Sequence, residues 1–270
     1  MDSVTQAVLG GAVSYTVLGR RLGKRAALYG IILGTLPDLD VLIDFGGPIE
    51  NMTHHRGFSH SLFVQALVTP VFVLLLSNLP FGRSASWARW SVAVYFSFAT
   101  HSLADFFTVY GTQIFWPLTN HPFAHSILFI VDPIYTIPLL VAVISALLMH
   151  DRSRAVKINA GMLGLSTLYL VWSTGAKSVI DNRIQNALAS NEISAEVYDS
   201  TPAPLNTLLW RGVAVDDDAY FEIWASIFDD VDQIQIQGFP RNKELISEIV
   251  HHPKIERLRR ASLQADSSPG

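Results

Sequence analysis

Two side chains four residues apart, His101 and Asp105, carry the first chemical signal in this 270-residue sequence. Positions i and i+4 share one helix face, so an imidazole and a carboxylate can converge there on one ion or on each other. Taken alone, such a pair is commonly a helix-surface contact. Two further groups accompany it. The segment from Thr53 to Ser61 holds His54, His55 and His60, and Leu36-Pro37-Asp38-Leu39-Asp40 sets Asp38 and Asp40 beside a helix-loosening proline. Neutral imidazole plus carboxylate is a common donor set for zinc and other divalent ions, and a catalytic site keeps one position open for water. The chain has no cysteine, so thiolate zinc sites and disulfides are excluded and any metal must sit on His and carboxylates. The candidate ligands are Asp38, Asp40, His55, His60, His101 and Asp105. A bound divalent ion lowers the pKa of water to about 7 and polarises a phosphoryl oxygen. Either Asp38 or Asp40, if not on the metal, would serve as base. Arg56 is the only Lys or Arg in its loop and offers a planar fork for a phosphate oxygen, with a salt bridge to Asp44 or Glu50 as its alternative role.

The elements that must position these residues are strongly apolar. Half of the chain is hydrophobic, and only 16% is charged against about a quarter in an average soluble domain. Runs long enough to span a bilayer are Ala26 to Ile43, Ser61 to Leu79, Trp87 to Asp105, Ile127 to Met149 and Val156 to Ile180. The shorter Gly- and Ala-rich Val4 to Leu18 reads as a half-span or a close-packed helix. A signal peptide is disfavoured there, because Asp2 stands where a basic region belongs. With six spans, the basic connections Gly19 to Arg25, Phe81 to Arg89 and His150 to Lys157 fall on the cytoplasmic side. Every His/Asp motif then falls at the outer face. Charged residues number 19 in residues 1–180 and 23 in residues 181–270, which places a domain boundary near residue 181. The expected fold is an all-α polytopic membrane helical bundle over residues 1–180, followed by a small extramembrane α+β domain over 181–270. A formal net charge of −4 without a basic run argues against nucleic acid as a partner.

Other motifs read as structural. Phe115 and Trp116, in Gly111 to Pro117, suit the headgroup level, with a lid over the site as the sharper alternative. His121 and His125 read as loop residues, and Asp132-Pro133 as a helix start. Leu208 to Val215 and Tyr220 to Ile227 read as strands joined by a turn at Asp216-Asp217-Asp218, whose spacing fits no EF-hand loop. Lys243 to Leu263 reads as an amphipathic helix. The tail is expected to pack back over the His/Asp residues.

Taken as a set, Met1-Asp2-x-x-Thr5-Gln6, Pro37-Asp38-Leu39-Asp40, His55-Arg56-Gly57-Phe58-Ser59-His60-Ser61, His101-x3-Asp105, Gly111-Thr112-Gln113 with Trp116-Pro117, and Asp132-Pro133 resemble the bacterial membrane-bound metal-dependent hydrolase family, some of whose members are controlled by the SOS repressor. Pro202-x-Pro204-x-Asn206-x3-Trp210 carries the resemblance into the tail. A remoter similarity, to zinc-dependent phospholipases C and related single-strand nucleases, implies a zinc held by Asp38 or Asp40, His55 or His60, His101 and Asp105. Those enzymes carry a further H-x3-E pair that this chain lacks, and Gln6 stands where many relatives have His, so one or at most two ions are implied. The resemblance points to hydrolysis of a phosphoester, a lipid headgroup being one candidate, at the outer face of a bacterial inner membrane. The alternative is a non-enzymatic metal-binding membrane protein, such as a transporter subunit or an assembly factor.

Overall fold

In the computed structural model, which describes residues 1–47, 50–51, 55–195 and 197–241, close backbone packing sets the geometry of the amino-terminal helices. Helix α1 (Ser3–Leu22) is capped by the Asp2 carboxylate, which accepts from the Val4 and Thr5 amides. The chain turns at Gly23, which has a φ of 59°, into α2 (Lys24–Thr35). The two helices touch backbone to backbone: a Cβ added at Gly30 would lie 2.2 Å from the Gly10 carbonyl oxygen, and one at Gly34 2.6 Å from that of Gln6. Only glycine allows this approach, and it brings the carboxyl end of α2 against the first turns of α1.

Proline then stops α2. Pro37 opens a 3-10 turn, Pro37–Leu42, that carries Asp38 and Asp40. A second 3-10 turn, Phe58–His60, leads into α3 (Leu62–Ser77), which Ser61 caps by accepting from the Val64 amide. Helix α4 (Trp87–Phe106) crosses α1 and buries Trp90 completely. Its carboxyl end presents His101 and Asp105 on one buried face. Helix α5 (Pro133–Leu148) starts at the Asp132 cap, as the sequence suggests. It is followed by the 39-residue α6 (Arg152–Ser190). Asn159 of α6 donates to the Ala12 carbonyl, and Ser166 to that of Tyr135, tying α6 to α1 and α5.

Strands β1 (Val197–Pro202), β2 (Leu209–Val215), β3 (Ala219–Ser226) and β4 (Gln235–Pro240) form an antiparallel meander in chain order. The turn at Asp216 to Asp218 closes on itself, with the Asp218 and Ala219 amides donating to the Asp216 side chain. Trp210, Ala214, Ile223 and Ala225 bury one face of the sheet on Ala176, Ile180, Ile184 and Leu188 of α6. The sheet therefore docks on the carboxyl half of α6, not over the His/Asp residues as the composition suggested. Residue 181, where charge density rises, lies inside α6.

The polytopic all-helical bundle expected from hydropathy is overturned. Among the described residues only α6 is long and apolar enough to cross a bilayer. The other apolar runs are broken, too short or too polar. Ala26 to Ile43 breaks at Pro37, and Ile127 to Met149 becomes helical only at Pro133. The apolar α3 and α5 have 16 residues each, about 24 Å at 1.5 Å per residue, short of a hydrocarbon core of roughly 30 Å. Helix α4 has the length but carries Arg89, His101 and Asp105. The expected α+β tail is likewise a four-stranded meander over its described part. His54 and the expected helix from Lys243 to Leu263 lie outside the described residues.

Candidate metal centre

Four of the six candidate ligands meet. One donor atom each from Asp38, His60, His101 and Asp105 lies within 4.8 Å of every other, so the cluster can hold a metal ion. The two imidazole Nε2 atoms are 3.0 Å apart. Asp38 Oδ1 lies 3.4 Å from His60 Nε2 and 3.3 Å from His101 Nε2. Asp105 Oδ2 lies 3.2 Å and 3.6 Å from the same two nitrogens. A tetrahedron of donors 2.0 to 2.2 Å from a zinc-sized ion has edges of about 3.3 to 3.6 Å, close to these five separations, with the two carboxylate oxygens within 4.8 Å of each other.

The protons around the cluster make the case stronger. His101 Nδ1 lies 2.7 Å from the Gly34 carbonyl oxygen. A carbonyl only accepts, so Nδ1 carries the proton and the neutral ring turns a lone pair on Nε2 toward the cluster. His60 repeats the arrangement through a relay. The Ser59 hydroxyl donates to Asp40 Oδ2 at 2.6 Å, leaving its oxygen to accept from His60 Nδ1 at 2.9 Å. With both rings neutral, both Nε2 atoms and both carboxylates face one point as acceptors. Asp38 Oδ1 is buried and has no hydrogen-bond donor in that arrangement. A set of converging lone pairs is repulsive unless a cation satisfies it, and either a metal ion or protons on the imidazoles can do so. Protonated, the His101 and His60 rings outweigh the burial that opposes ionisation of Asp38 and hold its carboxyl well below the usual range, and against the same burial the acids in turn raise the pKa of His60.

Asp40 and His55 play a different part. Asp40 faces His55 Nδ1 at 2.7 Å, the Arg56 amide at 3.1 Å and Ser59. Burial opposes its ionisation too, and the hydrogen bonds from His55 and Ser59 prevail, so its pKa is lowered. It orients His60 and is fully engaged in doing so. The two aspartates diverge because a 3-10 turn has about three residues per turn, so neighbours two apart point in different directions.

The Arg56 guanidinium turns toward the cluster. Its Nη2 lies 3.2 Å from Asp105 Oδ1, and the guanidinium carbon sits 5.5 Å from the centre of the Tyr110 ring. Arg56 holds a φ of 64°, uncommon for a residue with a Cβ. The loop from Gly111 to Pro117 supports it: the Gln113 amide donates to the Arg56 carbonyl at 3.1 Å, and the Leu62 amide to that of Ile114 at 3.0 Å. His121 packs edge-on to Phe123, and His125 stacks on Phe106.

Several participants were not visible as functional residues in the sequence. Gln6 Nε2 donates to Asp105 Oδ2 at 3.2 Å and lies 3.4 Å from His101 Nε2. The Met1 amine contacts Asp105 Oδ1. Gln65 donates to the Ser59 carbonyl at 3.0 Å and the Ser102 hydroxyl at 2.6 Å, fastening α3 to both ligand-bearing segments. Of these, only the spacing in Met1-Asp2-x-x-Thr5-Gln6 left a trace, and it named no role.

Residues 1–179 match the family described as YdjM inner membrane protein. Inner membrane protein YbcI of Escherichia coli (strain K12) is 33% identical over 125 residues, covering 44% of this chain and 69% of that protein. YfhP of Bacillus subtilis (strain 168) is 26% identical over 154 residues, covering 53% of this chain and 45% of that protein. No solved structure matches the chain. The matched segment contains α1 to α5, most of α6 and every residue of the His/Asp cluster, and the chain belongs to the YdjM family of inner membrane proteins.

Proposed function

We propose that the chain is a membrane-bound metal-dependent hydrolase of phosphoesters, with Asp38, His60, His101 and Asp105 as ligands of one divalent ion, zinc fitting best. The observation that carries this reading is the all-acceptor arrangement, in which Gly34 and the Ser59–Asp40 relay turn both Nε2 lone pairs inward. Two nitrogens and two carboxylate oxygens at these separations suit zinc over the larger, oxygen-preferring calcium. A bound divalent ion supplies a nucleophilic water near neutral pH and polarises the phosphoryl oxygen. The chain's own groups do the rest. Arg56 neutralises Asp105 and offers a buried Nε that has no partner, a donor for a phosphate oxygen. Asp38 is the ligand that faces outward, its side chain 26% exposed against 0% for His60, His101 and Asp105, so substrate approaches from its side.

The turn that carries Asp38 is otherwise apolar at its surface: Leu39, Val41 and Leu42 within it and Ile43 just after it are exposed, as is Tyr110 beside Arg56. Exposed apolar residues next to a charged centre suit a lipid headgroup presented at a membrane surface. The amino end of α6 carries Arg152, Arg154 and Lys157. By the positive-inside rule that end is cytoplasmic, which sets the sheet at the other end on the periplasmic side.

Elemental analysis of detergent-purified protein, followed by a phosphoesterase screen with and without chelator, tests the reading. About one zinc per chain and chelator-sensitive release of phosphate are expected. Protein that holds metal yet hydrolyses no phosphoester in the screen would instead be a non-enzymatic metal-binding protein. Protein that binds no divalent ion would remove the mechanism.

A further inference from the structure

The α6 surface carries a concave site lined by none of the residues of the metal cluster. Ile134 and Pro138 of α5, Leu168, Trp172 and Val179 of α6, and Ile227 after β3 enclose an apolar cavity of about 840 Å³. That volume falls in the roughly 300 to 1,000 Å³ range of small-molecule sites. Its walls are held in place by their polar tips. The Tyr169 hydroxyl donates to Asp132 Oδ2 at 2.9 Å, and Trp172 Nε1 to Thr207 Oγ1 at 3.3 Å. Gly175 lies in the wall, and a Cβ added there would meet nothing within 4 Å. Glycine inside a helix costs about 1 kcal/mol relative to alanine, and here its missing side chain widens the groove.

We propose that this groove seats one acyl chain of a bilayer phospholipid. The argument is continuity. The groove opens along α6, the one described helix able to cross a bilayer, in a protein of an inner-membrane family. Ile134, Leu168, Trp172 and Val179 are each 45% or more exposed, so the surface that continues outward from the groove is itself apolar. Hydrocarbon is the solvent such a surface meets in a membrane, and a preformed concave slot holds one chain in register where a flat face would not. Tyr and Trp with tethered polar tips are the residues that mark the headgroup level of a bilayer. This site goes beyond the metal centre and stands or falls separately from it.

The test is the lipid content of the full-length protein, purified in detergent and extracted with organic solvent. Wild-type protein is expected to retain about one phospholipid per chain. Gly175→Leu fills the groove and should lower retention at least tenfold, while Gly164→Leu, on the same helix and also facing open space, should leave it unchanged. Circular dichroism and the midpoint of thermal unfolding report that each variant is folded. As a second measurement free of the groove-filling variant, phosphatidylglycerol with brominated chains is titrated into delipidated wild-type protein. Saturable fluorescence quenching that Trp172→Phe removes supports the proposal. Equal lipid retention in Gly175→Leu and wild type, or no retained lipid in wild type with no saturable quenching, overturns it. So does a change in oligomeric mass of Gly175→Leu at unchanged lipid content, which would give the groove to a second copy of the chain.

Discussion

Around His101 the interior is polar, and around Trp210 it is apolar, yet both side chains are completely buried. At the first, four ionisable side chains face one another and are held by carbonyl, hydroxyl and amide groups from α2, α3 and the 3-10 turns. At the second, a tryptophan and small aliphatic residues close on one face of α6. A core of the second kind is stabilised by removing apolar area from water, about 25 cal/mol per Å², and needs no ligand. A core of the first kind gains little from burial and much from a cation. The difference teaches which part of the molecule depends on what it binds.

The largest effect expected to test that comparison is at the ligands. His101→Ala or Asp105→Ala should abolish bound metal, measured by elemental analysis, while sheet content by circular dichroism stays unchanged. Asp105→Ala also strips Arg56 of its buried partner, and a broken buried pair costs about 3 to 5 kcal/mol, read as a lower unfolding midpoint. Should both variants keep full metal occupancy, the cluster is not the metal site.

Trp210→Ala should show the reverse pattern. A Trp-to-Ala change in a packed core costs about 3 to 5 kcal/mol, so the sheet should melt early in a thermal scan while metal content holds. Loss of metal in this variant would mean the two centres are one cooperative unit. Asp40→Asn is the finer probe of the polar centre. It keeps the shape but weakens the relay that orients His60, and such outer partners are worth about 10- to 100-fold in metal affinity. A competition titration with a chelating dye measures this, and unchanged affinity would demote the relay. The smallest effect belongs to the surface of the sheet. Arg211 pairs with Glu222 at 2.5 Å, but with the Arg side chain 47% exposed the pair is worth at most about 1 kcal/mol, so Arg211→Ala should shift neither metal content nor melting appreciably.

How much of this could be read from residues alone depended on whether the deciding geometry was local. His101 and Asp105 are one helical turn apart, so their convergence was legible. The choice between Asp38 and Asp40 was not, because it turns on a 3-10 conformation in place of a helix or strand. The choice between His55 and His60 rested on Ser59 and Gln65, whose partners Asp40 and Ser102 lie 19 and 37 residues away along the chain. Backbone groups such as the Gly34 carbonyl leave no residue-type signal at all. Among the elements, β2 and β3 were visible through their turn residues, and the Asp132 cap through its chemistry. The spans were overread because summed hydropathy ignores where a helix ends: Pro37 and Asp132 cut two apolar runs that composition had joined. Strand β1 shows no clean alternation, whereas β4 was legible in the alternating Gln233 to Gln237 and went unread.

The length of α6 has a mechanical consequence. Thirty-nine residues rise about 58 Å, nearly twice the roughly 30 Å of a hydrocarbon core, and no proline interrupts them. Such a helix is a lever. A bilayer that thins or thickens is matched by tilting the apolar stretch. The sheet, clamped to the far end by Arg183 bonds to the Ser226 and Ile227 carbonyls, swings with any tilt. Tyr169, bonded to Asp132 at the start of α5, lies partway along the same rod, closer to the pivot, and travels less. Because Asn159 and Ser166 tie α6 to α1 and α5, a spanning α6 would carry the metal cluster with it, and the sheet at its far end would sweep the larger arc.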